Sequence, residues 1–241
     1  MRKIFAHIIC HNEFPDILRA IESVAPIADE VFVLHDGSHQ PMIDFLEARK
    51  EIYNLKIFQN PFITLREQRQ FLLDQTPINN WVVCLDADES YSMATTRELR
   101  DCLLYKLSEK HYNTAREGNV PLVINIPVLN LVKDITHFDS EGVYHSQKIF
   151  YYTKGLHWDF DSYYTHITYK KGPLNFEDGD ETTVYSIIGP NTWIIKHFAR
   201  LNPERLAWRA KHINDKRFGG YEVNAWEKEP PEIVELEQDK W

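Results

Sequence analysis

Apolar and polar positions fall in blocks along the first third of the chain. Residues 3–10 (KIFAHIIC) form a short apolar run of the kind that makes a strand buried on both faces. Polar His11, Asn12 and Glu13 follow, and Pro15 stands where a first helical turn tolerates it. Ile17, Leu18, Ile21 and Val24 recur at helical spacing until Pro26 ends the pattern. A second strand is predicted at residues 30–34 (EVFVL), then a helix around Ile43, Phe45 and Leu46, and a third, short strand through Leu55, Ile57 and Phe58. Leu65, Phe71, Leu72 and Leu73 predict a helix over 63–75, and WVVCL at 81–85 predicts the fourth strand. Strands alternating with helices predict an α/β fold with a mostly parallel central sheet flanked by helices.

The pattern then changes. Residues 95–110 are predicted helical, and residues 120–132 (VPLVINIPVLNLV) β-like. Pro121 and Pro127 argue that this strand lies at an edge or is bent. Residues 143–171 are dense in Tyr, His, Trp and Phe and read as hairpins, residues 192–198 as one more strand, and Pro203 as the start of a helix to about Asn214. An acidic tail at 227–241 contains Pro230 and Pro231 and is expected to be loosely held. With no internal repeat and no Gly/Ser linker, residues 1–226 read as one domain, its halves being 1–90 and a more irregular, β-rich 91–226.

Composition narrows the function classes. The chain has 241 residues, 43% hydrophobic and 26% charged, which excludes a disordered, collagen-like or coiled-coil protein and allows a sizeable core. A net charge of −9 argues against coating nucleic acid or an anionic membrane. A small phosphorylated ligand remains possible if a cation mediates. Cys10, Cys84 and Cys102 lack metal-site spacing and imply no disulfide framework, so a reducing, cytoplasmic compartment is expected. The N-terminus reads as a first strand rather than a signal peptide. No apolar run approaches the roughly 20 residues of a transmembrane segment.

In an open parallel sheet, ligands bind at the carboxyl ends of the strands. Three of the four predicted strands end in acidic or amide side chains: Asn12 and Glu13, Asp36, and Asp86 with Asp88. Asp86-Ala87-Asp88-Glu89 places three carboxylates within four residues, which repel one another unless positive charge sits between them. A hard divalent cation is one neutraliser, since Mg²⁺ and Mn²⁺ prefer oxygen ligands, and it would bridge the protein to a diphosphate. The plainer alternative is helix capping by Asp88 or Ser90 ahead of Met93. Asp36 could accept hydrogen bonds from a base or ribose, or simply form the turn that Asp-Gly favours. Asn12 could read a base edge and Glu13 could cap the following helix. Arg66 or Arg69 could reach a diphosphate or brace the carboxylates, against a solvated helix face paired with Glu67. His197 is a candidate metal or phosphate ligand. Asp159 and Asp161 lie among Tyr144, Tyr152, Trp158, Tyr163 and Tyr164, where aromatic faces could stack on sugar rings and a carboxylate could deprotonate a hydroxyl. Ordinary hairpin packing would use the same aromatics.

ICHNEFPDILRAIESV, DEVFVLHDGS, REQRQFLL and WVVCLDADE, in that order, resemble the family 2 glycosyltransferases of the GT-A fold. Members typically show strands ending in Asn-Glu, Asp-Gly-Ser and Asp-x-Asp, with an Ala-Arg-Asn helix before the last. QKIFYYTKGLHW (147–158) and IIKHF resemble the family's second half more loosely. The resemblance implies a nucleotide-binding half at 1–90 and an acceptor half at 91–226. It places Asn12, Glu13 and Asp36 against the base and ribose of a nucleotide-diphosphate sugar donor, with Arg69 near the nucleotide. Asp86 would touch ribose or metal, Asp88 would hold Mn²⁺ or Mg²⁺, and His197 would assist there. Gln70 stands where the family has Asn, and His35 precedes Asp36. The family's His-Glu pair has no match, since His166 is followed by Ile167; Asp161, Asp159 and then Glu141 are the substitutes for the catalytic base. The reaction implied is an inverting sugar transfer to an acceptor hydroxyl of unspecified glycan, lipid-linked or protein origin. Two rivals are a nucleotidyltransferase acting on a sugar phosphate and a non-catalytic nucleotide- or sugar-binding module. HNEFPD lacks the glycines and basic residue that the first would want.

Overall fold

The structure is a computed structural model. It describes residues 2–198 and 233–235 apart from 12, 15, 36, 60–63, 108, 118–121, 132–136, 140–142, 162–163, 170–184 and 190–191. The expected helix at 203–214, most of the acidic tail and the candidates Asn12, Asp36 and Glu141 lie outside the described residues.

The first third follows the apolar pattern closely. Strands β1 (Ile4–Cys10), β2 (Glu30–His35), β3 (Leu55–Gln59) and β4 (Asn80–Asp86) alternate with helices α1 (Asp16–Val24), α2 (Gln40–Glu47) and α3 (Leu65–Asp74). The four strands are parallel in the order β3-β2-β1-β4. Strand β1 lies between two neighbours and is buried almost throughout, which is why it reads as an unbroken apolar run. Helix α3 begins at a capping box: the Thr64 hydroxyl accepts from Glu67 N, and the Glu67 carboxylate accepts from Thr64 N. Glu67 is thereby used at the cap rather than as a partner of Arg66.

The second half is more mixed than a parallel sheet. After a tight turn at residues 87–88 come β5 (Glu89–Tyr91), α4 (Met93–Asp101), a π-helical turn (Cys102–Lys106) and α5 (Glu109–Glu117). The helix predicted over 95–110 is thus broken into three pieces. Strands β6 (Leu122–Asn130), β8 (Tyr144–Tyr152) and β12 (Ile195–His197) extend the main sheet to β3-β2-β1-β4-β8-β6-β12-β5, with β8 antiparallel to both neighbours. A short β7 (His137–Asp139) pairs with β13 (Ile233–Glu235), and β9 (Leu156–Asp161) pairs with β10 (Tyr164–Tyr169) as the expected hairpin.

Strand β6 corrects the edge-strand expectation, because it lies inside the sheet between β8 and β12. Pro127 is accommodated in two ways. The register against β8 shifts between Ile124 and Ile126. On the other side β11 (Tyr185–Ile188) pairs as far as Asn125 and β12 takes over at Val128, so Pro127 falls in the gap between two partners. The largest core cluster joins α1 and α4 to one face of the sheet through Ile4, Ile8, Ile21, Trp81, Val83, Leu99, Ile126 and Trp193. The opposite face carries Val82, Cys84 and Phe150 under Leu73 of α3 and Trp158 of β9.

Candidate active site

The carboxyl ends of β1, β2 and β4 meet on one side of the sheet. His11 N donates to the Glu13 carboxylate at 2.6 Å, while Ile17 N donates to Glu13 O at 2.9 Å. Glu13 therefore opens α1 with its backbone and closes the preceding turn with its side chain. Ser38 Oγ donates to His11 O, tying the loop after β2 to the end of β1. Between them Gly37 has φ +98°, a left-handed conformation that disfavours a side chain.

Asp86 ends β4. Arg69 Nη2 from α3 donates to its Oδ1 at 2.6 Å, and Lys148 Nζ from β8 donates to its Oδ2 at 3.1 Å. The same ammonium donates to Glu89 Oε2, and that oxygen also accepts from Asp86 N at 2.9 Å. Glu89, Arg69 and Lys148 are buried, whereas the Asp86 side chain keeps 33% of its exposure. Burial works against ionising Asp86, but Lys148 and Arg69 outweigh it and hold its carboxyl down at about 2. Burial likewise opposes the charge on Lys148, and Asp86 with Glu89 reverses that and raises its pKa.

Two protein cations therefore neutralise Asp86 and Glu89, where the sequence reading put a divalent ion for the whole cluster. The choice left open between Arg66 and Arg69 is also resolved in space. Arg69 braces the carboxylate, and its guanidinium lies 5.0 Å from the Trp158 ring centroid. Arg66 Nε donates instead to Trp158 O at 3.2 Å, and Trp158 N donates to Gln70 Oε1 at 2.9 Å. One helix thus grips the DxD strand with Arg69 and the β9–β10 hairpin with Arg66 and Gln70. Asp159 and Asp161 lie on β9 directly after Trp158, paired in register with His166 and Tyr164.

Asp88 faces another neighbour. His197 Nε2 at the end of β12 lies 3.0 Å from Asp88 Oδ2, and His197 Nδ1 lies 2.7 Å from Asn130 Oδ1 at the end of β6. Asp88 is 1% exposed, and its carbonyl accepts from Phe198 N at 2.7 Å. Neither Asp88 nor Ser90 caps the next helix; Ser92 does, accepting from Thr95 N.

The two ring nitrogens of His197 are thus flanked by the Asn130 amide oxygen and the Asp88 carboxylate. Neighbouring corners of an octahedron with ligand bonds of about 2.1 Å are about 3 Å apart, so Asp88 and His197 fit two positions on Mg²⁺ or Mn²⁺. Asn130 supplies the outer hydrogen bond that a ligating histidine ordinarily has. Among the described residues no group of three or more His, Cys, Asp and Glu side chains gathers to hold a metal, so further ligands would come from a diphosphate and water. The sequence singled out Asp86, Asp88, Arg69 and His197; it missed Lys148 and Asn130, which have no acidic or metal-binding neighbour along the chain.

No family model matches the chain. A Rickettsia felis protein named "uncharacterized glycosyltransferase" is 35% identical over 124 residues, 52% of this chain and 41% of that protein. A Rickettsia conorii protein of the same description is 35% identical over 122 residues, covering 51% and 40% of the two chains. Over about half its length the chain is similar to proteins named glycosyltransferases. It spans about two fifths of the length of these relatives. The crystal structure of S. aureus TarS 1-349 in complex with UDP aligns with 54% of this chain and 36% of that chain, at 19% identity and a TM-score of 0.38.

Proposed function

We propose that the chain catalyses transfer of a sugar from a nucleotide-diphosphate sugar to an acceptor hydroxyl, with inversion. The observation that carries this reading is the division of the Asp-x-Asp pair. Asp86, its side chain one-third exposed, is fixed by Arg69 and Lys148 at the end of β4, and Asp88 is paired with His197. The kinship to glycosyltransferases supports the same reading.

Asn12, Glu13 and Asp36 bind base and ribose from the loops after β1 and β2, and Asp86 takes a ribose hydroxyl. Asp88 and His197 hold Mn²⁺ or Mg²⁺, which when bound would stabilise charge on the departing diphosphate. The acceptor oxygen bonds to the anomeric carbon from the face opposite the leaving group, and the bond from that carbon to the diphosphate oxygen breaks. The acceptor proton passes to a carboxylate of the β9–β10 hairpin, Asp161 or its neighbour Asp159. Glu141 is the remaining substitute. Cys10, Cys84 and Cys102 are not in disulfides, and no described helix is long and apolar enough to cross a membrane. We read the site of action as cytoplasmic. The test is release of nucleoside diphosphate from nucleotide sugars by the wild-type chain and by Asp88→Asn.

A further inference from the structure

Lys148 helps to fix Asp86, but no direct contact with donor or acceptor is among the roles just assigned. It is 8% exposed, and its ammonium is shared between Asp86, whose side chain is one-third exposed, and Glu89, at 1%. Glu89 is buried, and its Oε2 is taken up by Lys148 Nζ and Asp86 N. Its bond to Lys148 therefore reaches the open side of the site only through charge, by way of Asp86.

The balance of that charge is the relevant quantity. Asp86, Asp88 and Glu89 against Arg69 and Lys148 leave one net negative charge, before any contribution from His197. Without Lys148 there would be two. A diphosphate brings charge of the same sign, and repulsion in a partly buried site is screened far less than in water.

We propose that Lys148 is an internal counter-charge for the donor diphosphate: without touching the ligand, it cancels carboxylate charge that would repel it. This rests on the nucleotide-sugar reading above. It explains how a chain of net charge −9 holds an anion with only part of the neutralisation left to a divalent ion. It also gives the buried Glu89 a purpose, because that carboxylate fixes the ammonium where it faces Asp86.

The experiment is calorimetric titration with UDP, GDP, CDP and ADP in EDTA, on the wild type, Lys148→Met, Glu89→Gln and the double variant. A denaturant melt confirms that each is folded. Lys148→Met should weaken the best-binding diphosphate on the order of ten- to hundredfold. The double variant has the wild-type net charge and should return toward wild-type affinity, and Glu89→Gln should bind more tightly than wild type. If Lys148→Met does not fold, the double variant compared with Glu89→Gln measures the same loss. Unchanged affinity in Lys148→Met, or a double variant as weak as the single one, overturns the proposal while leaving the donor reading intact. If the wild type binds none of the four, even with Mn²⁺ added, both fall.

Discussion

His7 makes the acid stability of this fold calculable. It sits in the middle of β1, 3% exposed, with its ring stacked on Phe32 at a centroid distance of 5.7 Å. Its Nε2–H donates to Thr76 Oγ1 at 2.8 Å, and the Thr76 hydroxyl donates on to Leu72 O. Burial, with a smaller contribution from Arg69, lowers its pKa from 6.5 to about 3. The native state therefore holds His7 neutral, while the unfolded chain takes up a proton below pH 6.5. Stability is complete above that pH and falls as pH drops toward the folded value, by about 1.4 kcal/mol per unit. At pH 4.5 the loss is about 2.7 kcal/mol.

In His7→Leu the Thr76 hydroxyl keeps its acceptor, so no donor is stranded, and stability at pH 8 should stay within about 1.5 kcal/mol of wild type. Urea unfolding at pH 8, 6.5, 5.5 and 4.5 gives the comparison. The wild type should lose about 2.7 kcal/mol relative to His7→Leu between pH 8 and 4.5. Parallel curves over that window would show that His7 does not stay neutral in the fold.

Two further outcomes follow from named hydrogen bonds. Asn130→Ala should leave folding intact and weaken Mn²⁺ binding about 10- to 100-fold, read by metal titration, because His197 loses the partner that orients it; an unchanged titration would remove Asn130 from that role. Thr64→Ala removes the capping hydroxyl of α3 and should lower stability by about 1 kcal/mol in a urea melt, whereas no change would mean that the box does not hold the helix.

The parallel half of the fold was legible because burial there is nearly all or none. KIFAHIIC, EVFVL and WVVCL are apolar runs that fit only between layers, and each helix shows a one-sided stripe. For β6 the prolines allowed an edge or a bend, and only the edge is overturned: two successive partners and a register shift let Pro127 lie inside the sheet. The site was legible by residue type at strand ends, which picked out Asp86, Asp88 and His197. Its charge balance was not, since Lys148 comes from a strand 62 residues beyond Asp86 and reads locally as one polar position in an aromatic hairpin. Helical spacing alone did not separate Arg69 from Arg66, which the resemblance did; in the fold one meets Asp86 and the other the Trp158 carbonyl.

Nucleotide release from a panel of nucleotide sugars, with Mn²⁺ present and an acceptor pool supplied, tests the central claim most directly. Wild-type protein should liberate nucleoside diphosphate from one donor, and Asp88→Asn should fold like wild type yet turn over on the order of 10²–10⁴ more slowly. Equal release by the two proteins would contradict the account.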